Sequence, residues 1–97
     1  MKVLLVCGAG MSTSILMKKM EKYAADNGIE LQVEAHGFDV ASEYAPDYEC
    51  ILVGPQIGYH KDDLAEQTGL PTAVIPPADY GMGNCANIIK LAQSLIG

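Results

Sequence analysis

Residues 2–14 read KVLLVCGAGMSTS, in which a short apolar run ends at a cysteine and a glycine-rich turn. A continuous apolar run of this length is typical of a strand buried on both faces, as in a parallel sheet. From about Thr13 to Asn27, apolar residues recur at helical spacing, and Asn27-Gly28 ends the pattern. This stretch therefore predicts a strand, a tight loop and a helix, with Cys7 at the end of the strand.

The rest of the chain continues the alternation of strands and helices. Phe38–Tyr48 is only weakly helical and is interrupted by Pro46. Strands separated by helix-length segments imply right-handed crossovers, so we expect an α/β fold: a four-stranded parallel sheet with helices on both faces, in three layers. The further predicted strands are Ile29–Ala35 at an edge, Cys50–Val53 in the centre and Thr72–Ile75, and the further helices are Ile57–Gln67 and Asn84–Ile96.

Length and charge narrow the class of protein. A chain of 97 residues, about half of them apolar, has enough material for one domain, 1–97. Six Lys, no Arg and a net charge of −6 leave no basic stripe for nucleic acid. No apolar run approaches the roughly 20 residues of a membrane span, and no secretory signal precedes the first strand. We therefore expect a cytoplasmic protein.

Cysteine and histidine usage argues against disulfides and metals. Cys7, Cys50 and Cys85 are far apart and form no C-x-x-C pair, so neither a disulfide framework nor a zinc site is indicated. His36 and His60 also lack ligand spacing. We expect Cys50 to be a small buried apolar residue, and Cys85 has no glycine-rich loop around it.

The loop after Cys7 has the composition of an anion-binding loop. Glycines allow the chain to curl its N–H groups inward, and hydroxyl side chains cap the helix and bind the same anion. The positive end of the following helix favours a thiolate at Cys7 and a phosphate attached to it. We predict Cys7 as the catalytic residue and a phosphate-binding loop of Gly8, Ala9, Gly10, Met11, Ser12, Thr13 and Ser14.

Other interpretations of the loop remain open. A strand, a turn and a capped helix with a merely buried cysteine would look similar, as would a regulatory binding module without chemistry. The Walker A lysine is missing, and the glycines do not fit the dinucleotide fingerprint. A low-molecular-weight cysteine phosphatase, or an arsenate-reductase-like enzyme, would use C-x5-R-[ST], with Asp79 as a possible acid, but Thr13 stands at the arginine position. Without that cation the loop is suited to holding a phosphoryl group rather than hydrolysing it.

Two strings in the chain resemble a known family. They are CGAGMSTS at residues 7–14 and Gly54-Pro55-Gln56-Ile57 followed by Tyr59, with weaker support from Tyr80-Gly81. The chain is similar over essentially its whole length to enzyme IIB of the bacterial phosphoenolpyruvate-dependent sugar phosphotransferase system, lactose/cellobiose branch. The resemblance implies a fold like that of the small cysteine phosphatases.

The resemblance also implies a phosphotransferase that works as a carrier. A phosphohistidine on a IIA protein would pass its phosphoryl group to Cys7, which would pass it to a sugar held by the membrane subunit IIC. The expected sugar is a β-linked disaccharide such as cellobiose, no metal or other cofactor is needed, and the protein would associate peripherally with IIC. Because a carrier must dock two proteins, candidate partner-facing residues border the loop or follow strand ends: Met11, Ile15, Gln56, Tyr59 and Tyr80.

Overall fold

The computed structural model describes residues 1–7 and 11–96, with the side chains of residues 11–13 left out. Within that part of the chain, four parallel strands form one sheet in the order β2-β1-β3-β4. The prediction of a four-stranded parallel sheet is confirmed, with its second strand at an edge and its third inside. The strands are β1 (Lys2–Cys7), β2 (Gln32–Gly37), β3 (Cys50–Val53) and β4 (Thr72–Val74).

Helices connect the strands and close the chain. Short 3-10 turns at Phe38–Val40, Ala45–Asp47 and Pro55–His60 lead into or out of them. The helices are α1 (Met11–Asp26), α2 (Ala41–Tyr44), α3 (Lys61–Thr68), α4 (Pro77–Met82) and α5 (Cys85–Ile96).

Alternating residues of the buried strands supply two separate apolar layers. On one face of the sheet, Val3 and Leu5 belong to the cluster formed with α1 and α5. On the other face, Leu4 and Val6 pack with α2 and α3. Burial of residues 3–7 in β1 and of all of β3 explains the unbroken apolar sequence of these segments, because a strand covered on both faces has no side in contact with water. The prediction of helices on both faces is confirmed.

The second strand lies further along the chain than its polar and apolar alternation predicts. The sequence predicts a strand over Ile29–Ala35, whereas β2 runs from Gln32 to Gly37. The backbone N–H of Ile29 donates to the carbonyl of Ala24 at 2.8 Å, which ties the start of the predicted strand to α1. Pairing with β1 begins only where Gln32 meets Lys2, and it continues to Gly37 opposite Cys7.

The helix predicted over Ile57–Gln67 is wrong at its start. Ile57 has φ −123° and ψ 28°, which is outside the helical range, and regular helix begins only at Lys61. Gly69, with φ 71°, ends α3 in the left-handed conformation that glycine adopts most readily.

Helix α4 was not predicted at all. Pro76-Pro77 indicates the end of a strand, but proline is also favoured at the first position of a helix, and Pro77 takes that role here. Gly83, with φ 62°, ends the helix after six residues. This short helix brings Tyr80 and Gly81 to the side of α1 on which Ile15 is exposed.

Candidate active site

Cys7 ends β1 between two neighbouring strands. It is 4% exposed and is the register partner of Gly37 in β2. On the other side, the backbone N–H of Gly54, just after β3, donates to the carbonyl of Val6 at 2.9 Å. The cysteine therefore lies at the carboxyl edge of the sheet, where ligands of open parallel sheets bind.

Glycine backbones approach Cys7 from both sides. A Cβ atom built on Gly54 would lie 3.5 Å from the Cβ of Cys7 and 3.1 Å from Oε1 of Gln56. A Cβ built on Gly37 would lie 3.9 Å from the carbonyl oxygen of Cys7 and 2.8 Å from Oδ1 of Asp39. Any larger residue at either position would add bulk beside the cysteine.

Most of the predicted phosphate-binding loop lies outside the described residues. This applies to Gly8, Ala9 and Gly10 and to the side chains of Met11, Ser12 and Thr13. The described backbone shows that α1 begins at Met11, four residues after Cys7, and that Ser14 is exposed in its first turn. The partial positive charge at this end of a 16-residue helix is therefore close in sequence to the cysteine.

The predicted partner-facing residues divide into two groups. Ile15 is 62% exposed and lines, with Tyr80 and Lys19, a groove of about 240 Å³ between α1 and α4. Tyr59 is 77% exposed, and Gln56 is also exposed, in the 3-10 turn that follows β3. The structure brings Ile15 and Tyr80 together and places Gln56 and Tyr59 on the side of α3. Met11, the fifth candidate, has no described side chain.

Sequence reasoning missed three residues of this edge. Met82 is 81% exposed beside the groove, and it was overlooked because α4 was not predicted. Gly37 lies opposite Cys7 only because of the β1–β2 register, and Asp39 lies beside Gly37. The one available signal was a glycine at the end of an alternating segment, since a glycine in a strand can mark the close approach of another backbone.

Asp79 has a structural partner instead of a free position above the cysteine. Its Oδ1 accepts a hydrogen bond from Nδ2 of Asn87 at 3.1 Å, and its carbonyl accepts one from the backbone N–H of Asn84 at 2.9 Å. Asn84 in turn caps α5 by accepting from the backbone N–H of Asn87 at 3.2 Å. The carboxylate thus joins α4 to α5, which argues against its use as a phosphatase acid.

The other two cysteines are held as thiols. Burial, with a smaller contribution from the charge of Glu49, raises the pKa of Cys50 to about 11. Burial also raises the pKa of Cys85, against the opposing effect of the Lys19 ammonium. Since the thiolate is the nucleophile, both are poorly suited to covalent chemistry at neutral pH.

Both histidines are stacked on aromatic rings. His36 lies on Tyr44 with ring centroids 3.7 Å apart, and its Nε2 is 3.1 Å from Oε2 of Glu34. His60 lies on Phe38 at 3.8 Å. Among the residues that the structure describes, no three His, Cys, Asp or Glu side chains gather in a group able to hold a metal ion.

Comparison with known proteins identifies the family. The family model described as the lactose/cellobiose-specific IIB subunit of the phosphotransferase system matches residues 2–91. This chain belongs to that family. As a IIB component it is a phosphotransferase of a sugar phosphotransferase system, and the phosphatase alternative is not favoured.

Two relatives of the IIB component match over nearly their whole length, and a longer relative matches over part of its length. The oligo-beta-mannoside-specific EIIB component of Bacillus subtilis is 38% identical over 98% of this chain and 95% of its own. The cellobiose-specific EIIB component of Lactococcus lactis is 35% identical over 97% of this chain and 94% of its own. A lactose-specific EIICB component from the same species matches 68% of this chain but only 12% of its own length, at 26% identity.

A solved structure supports both fold and family. The solution structure of a cellobiose-specific IIB component from Borrelia burgdorferi superposes with a TM-score of 0.81 at 37% identity, covering 99% of this chain and 91% of that one. In the described part of our IIB component, none of the helices has the length and apolar character needed to cross a membrane.

Proposed function

We propose that Cys7 of this IIB component carries the phosphoryl group between a IIA donor and a sugar bound by IIC. The observation that supports it most is the position of Cys7, at the carboxyl end of a central strand, between two glycine backbones and four residues before a long helix. The other cysteines lie in the apolar layer between the sheet and α1 and α5, with raised pKa values.

In the first step, the sulfur of the Cys7 thiolate attacks the phosphorus of a phosphohistidine on IIA. An S–P bond forms as the P–N bond breaks, and the electron pair of the P–N bond stays on the imidazole nitrogen. With a proton, the imidazole of IIA leaves as a neutral base. The transition state is loose, with charge spread over three phosphoryl oxygens. We assign their stabilisation to the amides and hydroxyls of residues 8–14 and to the positive end of α1.

In the second step, the phosphoryl group moves from sulfur to a sugar hydroxyl. A P–O bond forms, the S–P bond breaks, and the thiolate is regenerated while the hydroxyl proton passes to a base outside this chain. We propose a β-linked disaccharide such as cellobiose as the acceptor. The names of the oligo-beta-mannoside and cellobiose relatives support this class of sugar.

Both partners have to reach the same sulfur. We propose that the exposed residues around it contact them: Met11, Ile15 and Tyr80 on the α1 side and Gln56 and Tyr59 on the α3 side. The EIICB relative, whose name joins a IIC and a IIB part in one protein, supports IIC as a direct partner. Our proposal therefore places the protein in the cytoplasm, in peripheral contact with the membrane through IIC.

The carrier proposal is tested by phosphorylation with phosphoenolpyruvate and the donor proteins, including IIA. We expect one thiol-linked, acid-stable phosphoryl group, located at Cys7 by mass spectrometry and absent from Cys7→Ser. Cys85→Ala is the matched control and keeps the adduct. If the protein instead turns over p-nitrophenyl phosphate without IIA and accumulates no adduct, the phosphatase alternative replaces the carrier.

A further inference from the structure

Charge is divided unevenly between the two helical layers of the protein. Residues 38–47 and 55–70, which contain α2 and α3, carry six acidic residues and one Lys. In contrast, α1, α4 and α5 together carry four Lys and three acidic residues. The net charge of −6 therefore comes almost entirely from one side of the sheet, and the two sides meet at the edge where Cys7 lies.

The acidic side presents exposed groups close to that edge. Asp62 and Asp63 stand in the first turn of α3, with side chains 97% and 62% exposed. Tyr59, 77% exposed, precedes them by three and four residues. Asp39 adds a carboxylate next to Gly37, the register partner of Cys7. We call Asp39, Tyr59, Asp62 and Asp63 the acidic rim.

The acidic rim is more than a set of solvated charges, because it surrounds aromatic surface. The Tyr59 ring lies 4.3 Å from that of His60, which is stacked on Phe38 at 3.8 Å. Phe38 directly follows β2, so this row of rings runs from the edge near Cys7 to the exposed Tyr59. An exposed aromatic residue bordered by charges is the composition expected of a protein interface.

Membrane proteins carry an excess of Lys and Arg on their cytoplasmic loops. We infer that the acidic rim is the surface on which the basic cytoplasmic face of the IIC subunit docks. This inference rests on the proposed function, since it assumes that IIC is the acceptor. The opposite side of the edge, with Lys18, Lys19 and Lys22 on α1, would repel such a face.

The test neutralises two acidic groups on each side of the sheet. Asp62→Asn with Asp63→Asn removes rim charges, and Glu21→Gln with Asp26→Asn makes the same change in exposed residues of α1. Binding is measured by cosedimentation with membrane vesicles that contain or lack IIC. The rate of Cys7 phosphorylation by IIA is measured in parallel, and thermal unfolding verifies that every variant is folded.

We expect the double variant Asp62→Asn, Asp63→Asn to weaken binding to IIC vesicles about three- to tenfold at low ionic strength. This is the size of effect expected for charges at the periphery of an interface. The difference should fall below about twofold at roughly 0.5 M salt, where the Debye length is only a few ångströms. The control double variant Glu21→Gln, Asp26→Asn should change binding to IIC vesicles by less than about twofold. Vesicles without IIC should retain none of the protein. Tyr59→Ser should weaken binding at both salt concentrations, because it removes apolar contact.

The proposed docking surface is overturned if the acidic-rim double variant and the α1 double variant weaken binding to IIC vesicles equally. It is also overturned if neither the acidic-rim double variant nor Tyr59→Ser weakens that binding. Retention on vesicles that lack IIC overturns it as well. If IIA does not phosphorylate the wild-type protein, the proposed function is overturned instead. Phosphorylation by IIA is measured without IIC, so this outcome does not depend on the binding experiment.

Discussion

Gly54 lies directly beside Cys7, so that a Cβ on the glycine would be 3.5 Å from the Cβ of the cysteine. Gly54 has φ −61° and ψ 143°, a conformation that any residue adopts without strain. What the glycine provides at this position is therefore space beside Cys7 and not backbone freedom. Reactions that depend on alignment are sensitive to such crowding.

We predict a graded loss of activity in a series at Gly54. Gly54→Ala should fold like the wild type and slow phosphorylation of Cys7 by IIA about threefold, whereas Gly54→Leu should slow it more than about tenfold. Rates are measured by quenched time courses, and thermal unfolding separates crowding of the site from loss of structure. Full activity of a folded Gly54→Leu variant would show that the space beside Cys7 is not used.

A second prediction concerns the exposed Ile15. Ile15→Ser should change the free energy of unfolding by less than about 0.5 kcal/mol, since the side chain is 62% exposed. If Ile15 contacts IIA as we propose, the variant should nevertheless slow phosphorylation by IIA several-fold, because it removes exposed apolar area from the groove between α1 and α4. Ile96→Ser, at the end of α5 and 36% exposed, is the matched control and should leave the rate unchanged. Equal rates for both variants would contradict a contact at Ile15.

The link between Asp79 and Asn87 gives a third prediction. Asp79→Ala and Asn87→Ala should each destabilise the protein, and a double-mutant cycle by chemical denaturation should give a coupling of about 0.5–1.5 kcal/mol. The phosphocysteine should persist as long in Asp79→Ala as in the wild type. Faster or slower hydrolysis at unchanged stability would instead assign the carboxylate a chemical role.

The fourth prediction follows from the lowered pKa of Glu34. Hydrogen bonds from Tyr48 and then from His36 lower this pKa from its ordinary value of 4.5, so the carboxylate stabilises the fold above pH 4.5. That contribution is lost as the pH falls through the lowered folded-state pKa. The difference in unfolding free energy between wild type and Glu34→Gln should therefore be constant near neutral pH and shrink below pH 4.5.

Tyr48→Phe should remove most of this pH dependence, because Tyr48 donates to Oε2 of Glu34 at 2.5 Å. Glu66→Gln on α3 makes the same change of charge on another element and measures the general effect of net charge. Urea unfolding between pH 3 and 7 provides the data. Parallel curves for wild type and Glu34→Gln over that range would contradict the assignment.

The fifth prediction uses the raised pKa values of Cys50 and Cys85. Because their thiol pKa values are raised, Cys50 and Cys85 contain little thiolate at pH 8, and both side chains are buried. Iodoacetamide should therefore leave both unlabelled in the folded protein. In denaturant both should react, as shown by peptide mass spectrometry. Labelling of Cys85 at the same rate with and without denaturant would contradict its placement in the apolar layer.

The parts of the fold that follow from local pattern were predictable from the sequence. Residues 3–7 of β1 and all of β3 are buried and form unbroken apolar runs, and α1 and α5 have apolar residues at helical spacing. The start of β2 was not predictable, because the alternation of apolar and polar residues already begins at residues 29–31, which belong to the turn after α1. Only pairing with β1 fixes the start of β2 at Gln32.

Some features of the candidate site were also predictable from the sequence, and others were not. The position of Cys7 follows from the order of strand, loop and helix, and the family from strings of adjacent residues. The closeness of Gly37 and Gly54 to Cys7 depends on the register of three strands, which are far apart in the chain. Local spacing contains no information about that register. The role of Asp79 likewise became clear only from its contact with α5.

Cys7 belongs to an interior strand, hydrogen-bonded within a sheet on both sides and buried at 4% exposure. Its sulfur has no long arm on which to travel between donor and acceptor, unlike a group on a flexible tether. If Cys7 carries the phosphoryl group as we propose, the donor and the acceptor must therefore each come to the cysteine, one after the other. Under that proposal, rapid turnover favours short-lived complexes over tight ones, because each partner must dissociate before the other can bind.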